Sequence, residues 1–79
     1  MKLAEAVAIR TKGLLFKFNV TQYKLCKDTC LSRTGIHDMF HGKTQSVSLS
    51  TIGLIAQFFG MSLKEFFDDP IFDPENLEI

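Results

Sequence analysis

Apolar residues recur three or four positions apart in several segments of the chain, and polar or turn-forming residues separate these segments. This spacing predicts amphipathic helices that each bury one face. The predicted helices cover about residues 2–18, 22–29, 33–40 and 49–59, with a short fifth helix after Ser62. Apart from residues 47–49, no segment alternates apolar and polar residues as strands do. The sequence therefore predicts an all-α fold, a compact five-helix bundle.

Residues that favour helix ends lie near the predicted boundaries. The candidate N-caps are Ser32, either Ser48 or Ser50, and Ser62, because a serine hydroxyl can accept a hydrogen bond from a free backbone N–H of the first turn. Asn19 follows the first helix and tolerates the positive φ at which helices often stop. The residues expected to face the core are Leu3, Val7, Leu14, Phe18, Leu25, Cys26, Leu31, Ile36, Met39, Phe40, Ile52, Ile55, Ala56, Phe59, Leu63, Phe66 and Phe67.

The second and third predicted helices are both short and are separated by a break near Cys30. Each has an apolar face, and the third also carries a mixed polar face. Two short helices joined by a tight turn are typical of a helix-turn-helix motif.

The order of residues around this motif resembles the Cro/repressor-type helix-turn-helix family, whose members are lambda-repressor-like DNA-binding domains. The resemblance covers about residues 11–67. It is carried by Thr21-Gln22, Leu25, Leu31-Ser32, Ile36, Gly42-Lys43, Leu49-Ser50-Thr51-Ile52 and Gly60-Met61-Ser62-Leu63. The resemblance implies a helix-turn-helix domain at residues 1–69, a short acidic C-terminal tail at residues 70–79, and a third helix that inserts into the major groove of DNA.

Two sets of DNA-contacting residues follow from the resemblance. The base-reading positions would be Ser32, Arg33, Thr34, His37 and Asp38. The phosphate-contacting positions would be Gln22, Lys24, Lys43, Thr44 and Gln45. Arginine can bind guanine with two hydrogen bonds, and aspartate can accept one from cytosine. The alternative is that these residues are simply the solvated face of a surface helix.

Four positions need separate interpretation. The family often carries a buried Arg–Glu pair at the positions of Leu15 and Phe40, and we expect these two apolar side chains to contact each other instead. Cys30 replaces the usual glycine of the turn, so a non-glycine residue is expected at positive φ. Gly35 lies inside the third helix, which indicates either close helix packing or close approach to DNA.

The charges are divided unequally along the chain, although the formal net charge is zero. Residues 10–43 carry seven Lys or Arg against two Asp, whereas residues 44–79 carry one Lys against six Asp or Glu. A basic half favours a polyanionic partner such as nucleic acid. The alternative is a solvated domain that happens to end in an acidic tail.

Several other kinds of protein are not supported by the sequence. Cys26 and Cys30 are expected to be free thiols rather than a disulfide, and with His37 and His41 they give too few ligands for a metal site. No export signal, membrane span, cofactor motif, small-molecule pocket or catalytic constellation is evident, so we expect a cytoplasmic protein that is not an enzyme.

The sequence therefore predicts a transcription regulator that binds a specific site on double-stranded DNA, with a homodimer on a palindromic site as the expected assembly. The alternative is a small protein-interaction module, such as an antitoxin or an accessory subunit, that keeps the helix-turn-helix as a scaffold. Zero net charge, Asp38 and the apolar residues of the acidic tail favour this alternative. The tail itself is expected to pack over the bundle, mediate dimer contacts or fray.

Overall fold

The computed structural model describes residues 1–43 and 46–78. The helices are α1 (Leu3–Lys17), α2 (Gln22–Thr29), α3 (Arg33–Phe40), α4 (Leu49–Phe58) and α5 (Leu63–Phe66), and two 3-10 turns follow at Pro70–Phe72 and Pro74–Asn76. The part of the chain that the structure describes contains no strand. The all-helical fold with five α-helices is thus confirmed, and the predicted ends of the first four helices are correct to within one residue.

Hydroxyl side chains begin four of the five helices. The caps are Thr21, Ser32, Ser48 and Ser62, and each accepts a hydrogen bond from the backbone N–H three residues later, at 3.1–3.2 Å. Ser48, not Ser50, caps α4. At α5 the two residues form a capping box, since the Glu65 Oε1 also accepts from the Ser62 N–H at 3.1 Å. These local bonds explain why the helices start where the sequence indicates.

Helices α1, α3 and α4 end in the same way. Each is followed by one residue at positive φ: Asn19 (54°) after α1, Gly42 (73°) after α3 and Gly60 (72°) after α4. In each case the next residue donates its N–H to the carbonyl five residues earlier, at 2.9–3.0 Å. This Schellman arrangement satisfies carbonyl groups that the helix leaves free. The prediction that Asn19 ends α1 in the left-handed conformation is confirmed.

The core lies where α1, α3, α4 and the ring of Phe66 meet, with α2 packed against α3 and α4. Most predicted core positions are buried, but three are wrong: Leu3 is 45%, Phe18 49% and Leu63 38% exposed. All three lie in the first or last turn of a helix or just beyond it. Helical spacing gives the direction of a side chain but not whether a neighbouring element covers that end of the helix.

Arg10 connects the middle of α1 to the end of α5. Its Nε donates to the carbonyl of Phe66 at 2.9 Å, its Nη2 to the carbonyl of Glu65 at 3.1 Å, and its Nη1 to Asp69 at 3.4 Å. Carbonyls at the C-terminus of a helix carry partial negative charge and favour a cation. One of the seven positive charges of residues 10–43 therefore serves the fold and is not presented to a partner.

The C-terminal segment packs against the bundle over its described residues 70–78. The Phe72 ring contacts the Phe67 ring edge-on, with the two centroids 4.9 Å apart. The amino group of Met1 donates to the Asn76 carbonyl at 2.9 Å, and the Glu78 N–H donates to the Met1 carbonyl at 2.7 Å. Packing over the bundle, one of the expected arrangements of the tail, is observed, and dimer contacts through the tail stay a prediction. The division of the chain at residues 69 and 70 stays a prediction.

The turn between α2 and α3 holds Cys30 at φ 60°, as the sequence predicts. The left-handed conformation costs a non-glycine residue about 1–2 kcal/mol. Replacing Cys30 with glycine removes that cost but adds about 0.5–1 kcal/mol of chain entropy. We therefore expect Cys30→Gly to raise the free energy of unfolding by about 0.5–1 kcal/mol, measured by urea denaturation.

Gly60→Ala is the reverse control, because Gly60 follows α4 and also lies at positive φ. Gly60 has φ +72°, and a Cβ there would meet nothing within 4 Å, so only the backbone conformation opposes alanine. This variant is expected to lower the free energy of unfolding by about 1 kcal/mol. A loss of stability in Cys30→Gly would mean that contacts of the Cys30 side chain outweigh its backbone strain.

Candidate nucleic-acid interface

Helix α3 has one buried and one exposed side. Ile36, Met39 and Phe40 are buried in the core, whereas Arg33, Thr34 and His37 are exposed. The Ser32 hydroxyl caps α3 by accepting from the Gly35 N–H at 3.2 Å. The predicted exposed ridge on a hydrophobic base is therefore present. We call the exposed side of residues 32–38 the α3 ridge.

Asp38 is the least exposed charged residue on this ridge. It is of intermediate burial, and its Oδ1 lies 3.7 Å from Nδ1 of His37. Its carboxylate thus lies beside a histidine and reduces the positive charge at the C-terminal end of the ridge. This local negative charge distinguishes that end from the N-terminal end, which carries Arg33.

The first turns of α2 and α3 lie side by side. The guanidinium carbon of Arg33 lies 5.4 Å from the centre of the Tyr23 ring, over its face. Tyr23 is exposed, and Gln22 beside it begins α2 with a half-buried side chain. A helix N-terminus presents free N–H groups and favours anions. The structure therefore brings Arg33 of α3 against Tyr23 of α2, the residue that follows Gln22, although sequence analysis did not single out Tyr23.

Lys24 lies on α2 and pairs with Asp28 four residues later, with 3.0 Å between Nζ and Oδ2. Both side chains are substantially exposed, so the pair contributes little stability and its lysine can exchange partners. The two charges nevertheless offset each other in this arrangement. Lys24 therefore contributes less to a positive surface than the sequence alone indicates.

The other end of α3 is closed by Gly42 and Lys43. The Lys43 N–H donates to the Asp38 carbonyl at 2.9 Å, and its side chain is exposed. From α1, Lys12 Nζ donates to the Phe40 carbonyl at 2.8 Å and lies over the Phe40 ring. A cation at the C-terminal end of a helix is stabilising. Lys12 therefore holds the end of α3 in place, a contact that sequence analysis missed.

Thr44 and Gln45, the last two predicted phosphate-contacting residues, lie outside the described residues. Arg33 begins α3 and lies over Tyr23 of α2, whereas Lys43 follows the opposite end of α3. Helix α3 thus has candidate DNA-contacting residues near its start (Arg33) and just beyond its end (Lys43), and Asp38 lies between these two in the chain.

Gly35 is exposed, and the structure separates its two interpretations. A Cβ added there would meet only Ser32, at 3.5 Å from its Cβ and 3.8 Å from its Oγ, which is ordinary van der Waals contact. The interpretation of close helix packing is therefore wrong. Gly35 instead opens onto a groove of about 220 Å³ whose opposite wall includes Ser46, Ser48 and Thr51, at the start of α4.

Leu15 and Phe40 are both buried and belong to the same core cluster, in which α1 packs against α3. This is the region where the family often has a charged pair. The apolar replacement removes the need to desolvate two ions. Direct contact between the two side chains stays a prediction.

His41 was not a predicted site residue, yet its side chain contacts His37 of the α3 ridge. Its ring stacks on that of His37, with centroids 4.0 Å apart and planes inclined by 19°. Its Nδ1 lies 2.8 Å from the carbonyl oxygen of His37. The available signal was the spacing of four residues between the two histidines, which places them on the same side of a helix.

The family model for the Cro/C1-type helix-turn-helix DNA-binding domain matches residues 12–70. The chain belongs to this family. No curated protein and no solved structure matched the chain. Membership explains the fold and the arrangement of α2 and α3, and it makes DNA the expected partner of this Cro/C1-type domain. Within residues 1–43 and 46–78, the structure has no helix that is both long and apolar enough to cross a membrane.

Proposed function

We propose that this Cro/C1-type domain is a sequence-specific transcription regulator that inserts α3 into the major groove of its operator. The observation that carries the proposal is the α3 ridge, whose polar side chains face solvent above buried Ile36, Met39 and Phe40. A recognition helix needs this division, because its outer side contacts base edges while its inner side is held by the core.

The ridge supplies distinct chemistry to base edges. Arg33 carries the forked donor group that fits guanine, and Thr34 offers both a hydroxyl group and a methyl group. His37 can donate to a base or a phosphate. Asp38 accepts from the amino group of cytosine and would disfavour bases that present only acceptors. Ser32 is committed to capping α3 through its hydroxyl, so its proposed base contact would have to share that group.

Phosphate contacts would fix the position of the domain on DNA without reading the sequence. Gln22 lies at the N-terminus of α2, where backbone N–H groups favour an anion. Lys24 and Lys43 supply exposed positive charges, and Lys24 would exchange Asp28 for a phosphate. Thr44 and Gln45 complete the proposed set. Binding should therefore weaken as salt rises, because neutralised phosphates release counterions.

We further propose that two copies bind a palindromic site as a homodimer, since a symmetric dimer presents two recognition helices about one DNA turn apart. Exposed apolar side chains such as Leu49 and Leu54 offer surface for such an association. The free thiols of Cys26 and Cys30 suit a reducing compartment, which supports a cytoplasmic location and access to DNA. No enzymatic step belongs to the proposal.

Arg33→Ala is the decisive variant for operator recognition. Full-length protein should first be used to select bound sequences from a random duplex DNA library at two salt concentrations. The wild-type protein is expected to enrich one motif. Because a guanine–arginine pair contributes about 1–3 kcal/mol of discrimination, Arg33→Ala should lose about 5–150-fold in affinity for that motif and little for unrelated DNA.

Lys43→Ala is the matched control, because it also removes one exposed positive charge from an end of α3. It should weaken binding to all sequences alike. It should also reduce the slope of log affinity against log salt concentration by about 1, because one fewer phosphate is neutralised. An equal loss on motif and unrelated DNA in both variants would contradict base reading by Arg33.

The alternative proposal is a protein-interaction module such as an antitoxin or an accessory subunit. It is favoured by the Asp38 carboxylate on the ridge, by the Lys24–Asp28 pair and by the zero net charge. Absence of DNA retention even at low salt would support this alternative. Retention without any enriched motif would support a DNA-binding domain that does not recognise a specific operator.

A further inference from the structure

Arg33, the first residue of α3, lies against an aromatic ring that belongs to α2. Its guanidinium carbon is 5.4 Å from the centre of the Tyr23 ring, over the ring face. Tyr23 is the second residue of α2, so the contact joins the two helices across the Cys30 turn. The Tyr23 side chain is 59% exposed, which means that the core uses little of it. The ring is therefore an exposed surface beside the N-terminal end of the α3 ridge.

The contact with Tyr23 does not use the donors that a base requires. The face of an aromatic ring attracts a cation through its quadrupole and needs no hydrogen-bond acceptor. The guanidinium group carries five N–H donors in one plane, and guanine takes two of them at its O6 and N7 atoms. The Asp38 carboxylate, which would compete for these donors, lies beside Nδ1 of His37 at 3.7 Å. Arg33 is thus held at the ring while its N–H groups stay available to guanine.

Restriction of the Arg33 side chain before binding should increase its affinity for a base. A long arginine side chain on an exposed helix samples many rotamers, and it loses this freedom when it binds. A side chain that is already restricted loses less, and more of the contact energy appears as affinity. An aromatic face suits this purpose because the flat, weakly hydrated guanidinium packs on it without a competing charge.

We infer that Tyr23 is a positioning residue that holds Arg33 in the conformation that reads a guanine of the operator. The inference rests on the proposed function and names the base at that position. Tyr23 directly follows Gln22, the proposed phosphate contact at the N-terminus of α2. Attachment of α2 to the DNA backbone would therefore fix the ring, and the ring would fix the arginine. Phosphate contact and base reading are coupled through this pair.

Tyr23→Leu in the full chain tests the inference, because leucine is apolar but has no aromatic face. An exposed cation–π contact is equivalent to about a 2–5-fold change in an equilibrium constant. Tyr23→Leu should weaken binding to the motif enriched by the wild-type protein by that factor, measured by fluorescence anisotropy, and leave binding to unrelated DNA unchanged. Tyr23→Phe keeps the ring face and should restore motif affinity. Equal losses in both variants would mean that the hydroxyl group contacts DNA and would overturn the inference.

A double-mutant cycle with Arg33→Ala separates positioning from a structural role. Without a guanidinium group there is nothing for the ring to hold, so adding Tyr23→Leu to Arg33→Ala should not weaken motif binding further. The base preference of Tyr23→Leu should also relax at the same motif position as that of Arg33→Ala. Equal losses from Tyr23→Leu in both backgrounds would mean that the ring supports α2 and not Arg33.

Proton NMR tests the contact without DNA. The chain contains one tyrosine, so nuclear Overhauser effects between its ring protons and the δ-methylene protons of Arg33 identify the pair directly. Their absence would overturn the inference. If Arg33→Ala loses the motif while Tyr23→Leu binds it as well as the wild-type protein, or more tightly, only this inference fails. If the wild-type protein enriches no motif, the proposed function fails and the inference fails with it.

Discussion

Replacing Phe66 with alanine is expected to lower the free energy of unfolding by about 3–5 kcal/mol. The Phe66 side chain is fully buried, at 0% exposure. Its ring lies 5.4 Å from the Phe67 ring and 6.1 Å from the Phe72 ring, while the Arg10 guanidinium carbon lies 5.8 Å from its centre. Truncation would leave a cavity between α1, α5 and the C-terminal segment. Native proteins have only about 5–15 kcal/mol in total, so a large fraction of the stability should disappear.

Urea denaturation followed by circular dichroism would measure this loss, with Phe16→Ala as the matched control. Phe16 lies on α1 and is 91% exposed, so the identical change of side chain removes almost no buried surface. The control should change the free energy of unfolding by no more than about 0.5 kcal/mol. Similar losses in both variants would contradict the central position of Phe66 in the core.

The helices of this domain were predictable because local and periodic signals agree. In α3, the Ser32 cap, the buried Ile36, Met39 and Phe40, and the glycine at Gly42 all specify the same eight-residue helix. The same agreement explains why exposure of Arg33 and His37 was predictable. Once the core side of a short helix is known, the opposite side follows from a period of 3.6 residues.

Contacts to backbone carbonyls could not be predicted in the same way. Arg10 and Lys12 appear in the sequence only as positive charges, but their principal partners are the carbonyls of residues 65 and 66 and of residue 40. Every residue has a backbone carbonyl, so the sequence does not show which carbonyl a charged side chain will bind. The carbonyls of residues 65 and 66 lie 55 and 56 residues from Arg10 along the chain. The charge division between the two halves therefore overestimated how much basic surface is available to a partner.

The candidate site was partly predictable from spacing alone. The Lys24–Asp28 pair and the His37–His41 stack each join residues four apart, a relation that helix geometry makes close. The contact between Arg33 and Tyr23 is different, because it depends on how α2 and α3 are placed across the Cys30 turn. Sequence periodicity describes one helix at a time and does not give that placement.

Arg10→Met is expected to lower the free energy of unfolding by about 2–4 kcal/mol. The Phe66 and Glu65 carbonyls and the Asp69 carboxylate would lose the guanidinium together, although the Glu65 carbonyl would still accept from the Asp68 N–H. Hydrogen bonds that involve a charged group contribute about 1.5–3 kcal/mol each, but sharing and partial exposure reduce the sum. Methionine keeps much of the apolar stem, so the loss reports mainly on the guanidinium. Urea denaturation would measure it.

Two further variants separate the forked donor from the charge. Asp69→Asn keeps an oxygen that can accept from the Ile71 N–H and removes only the partly exposed ion pair, so it should cost no more than about 1 kcal/mol. Arg10→Lys keeps the positive charge but cannot donate to both carbonyls in the arginine geometry, and it should fall between the other two. If Arg10→Lys matched the wild-type protein, charge alone would hold α5 against α1. If Arg10→Met cost no more than Asp69→Asn, the bonds to the two carbonyls would contribute nothing to stability.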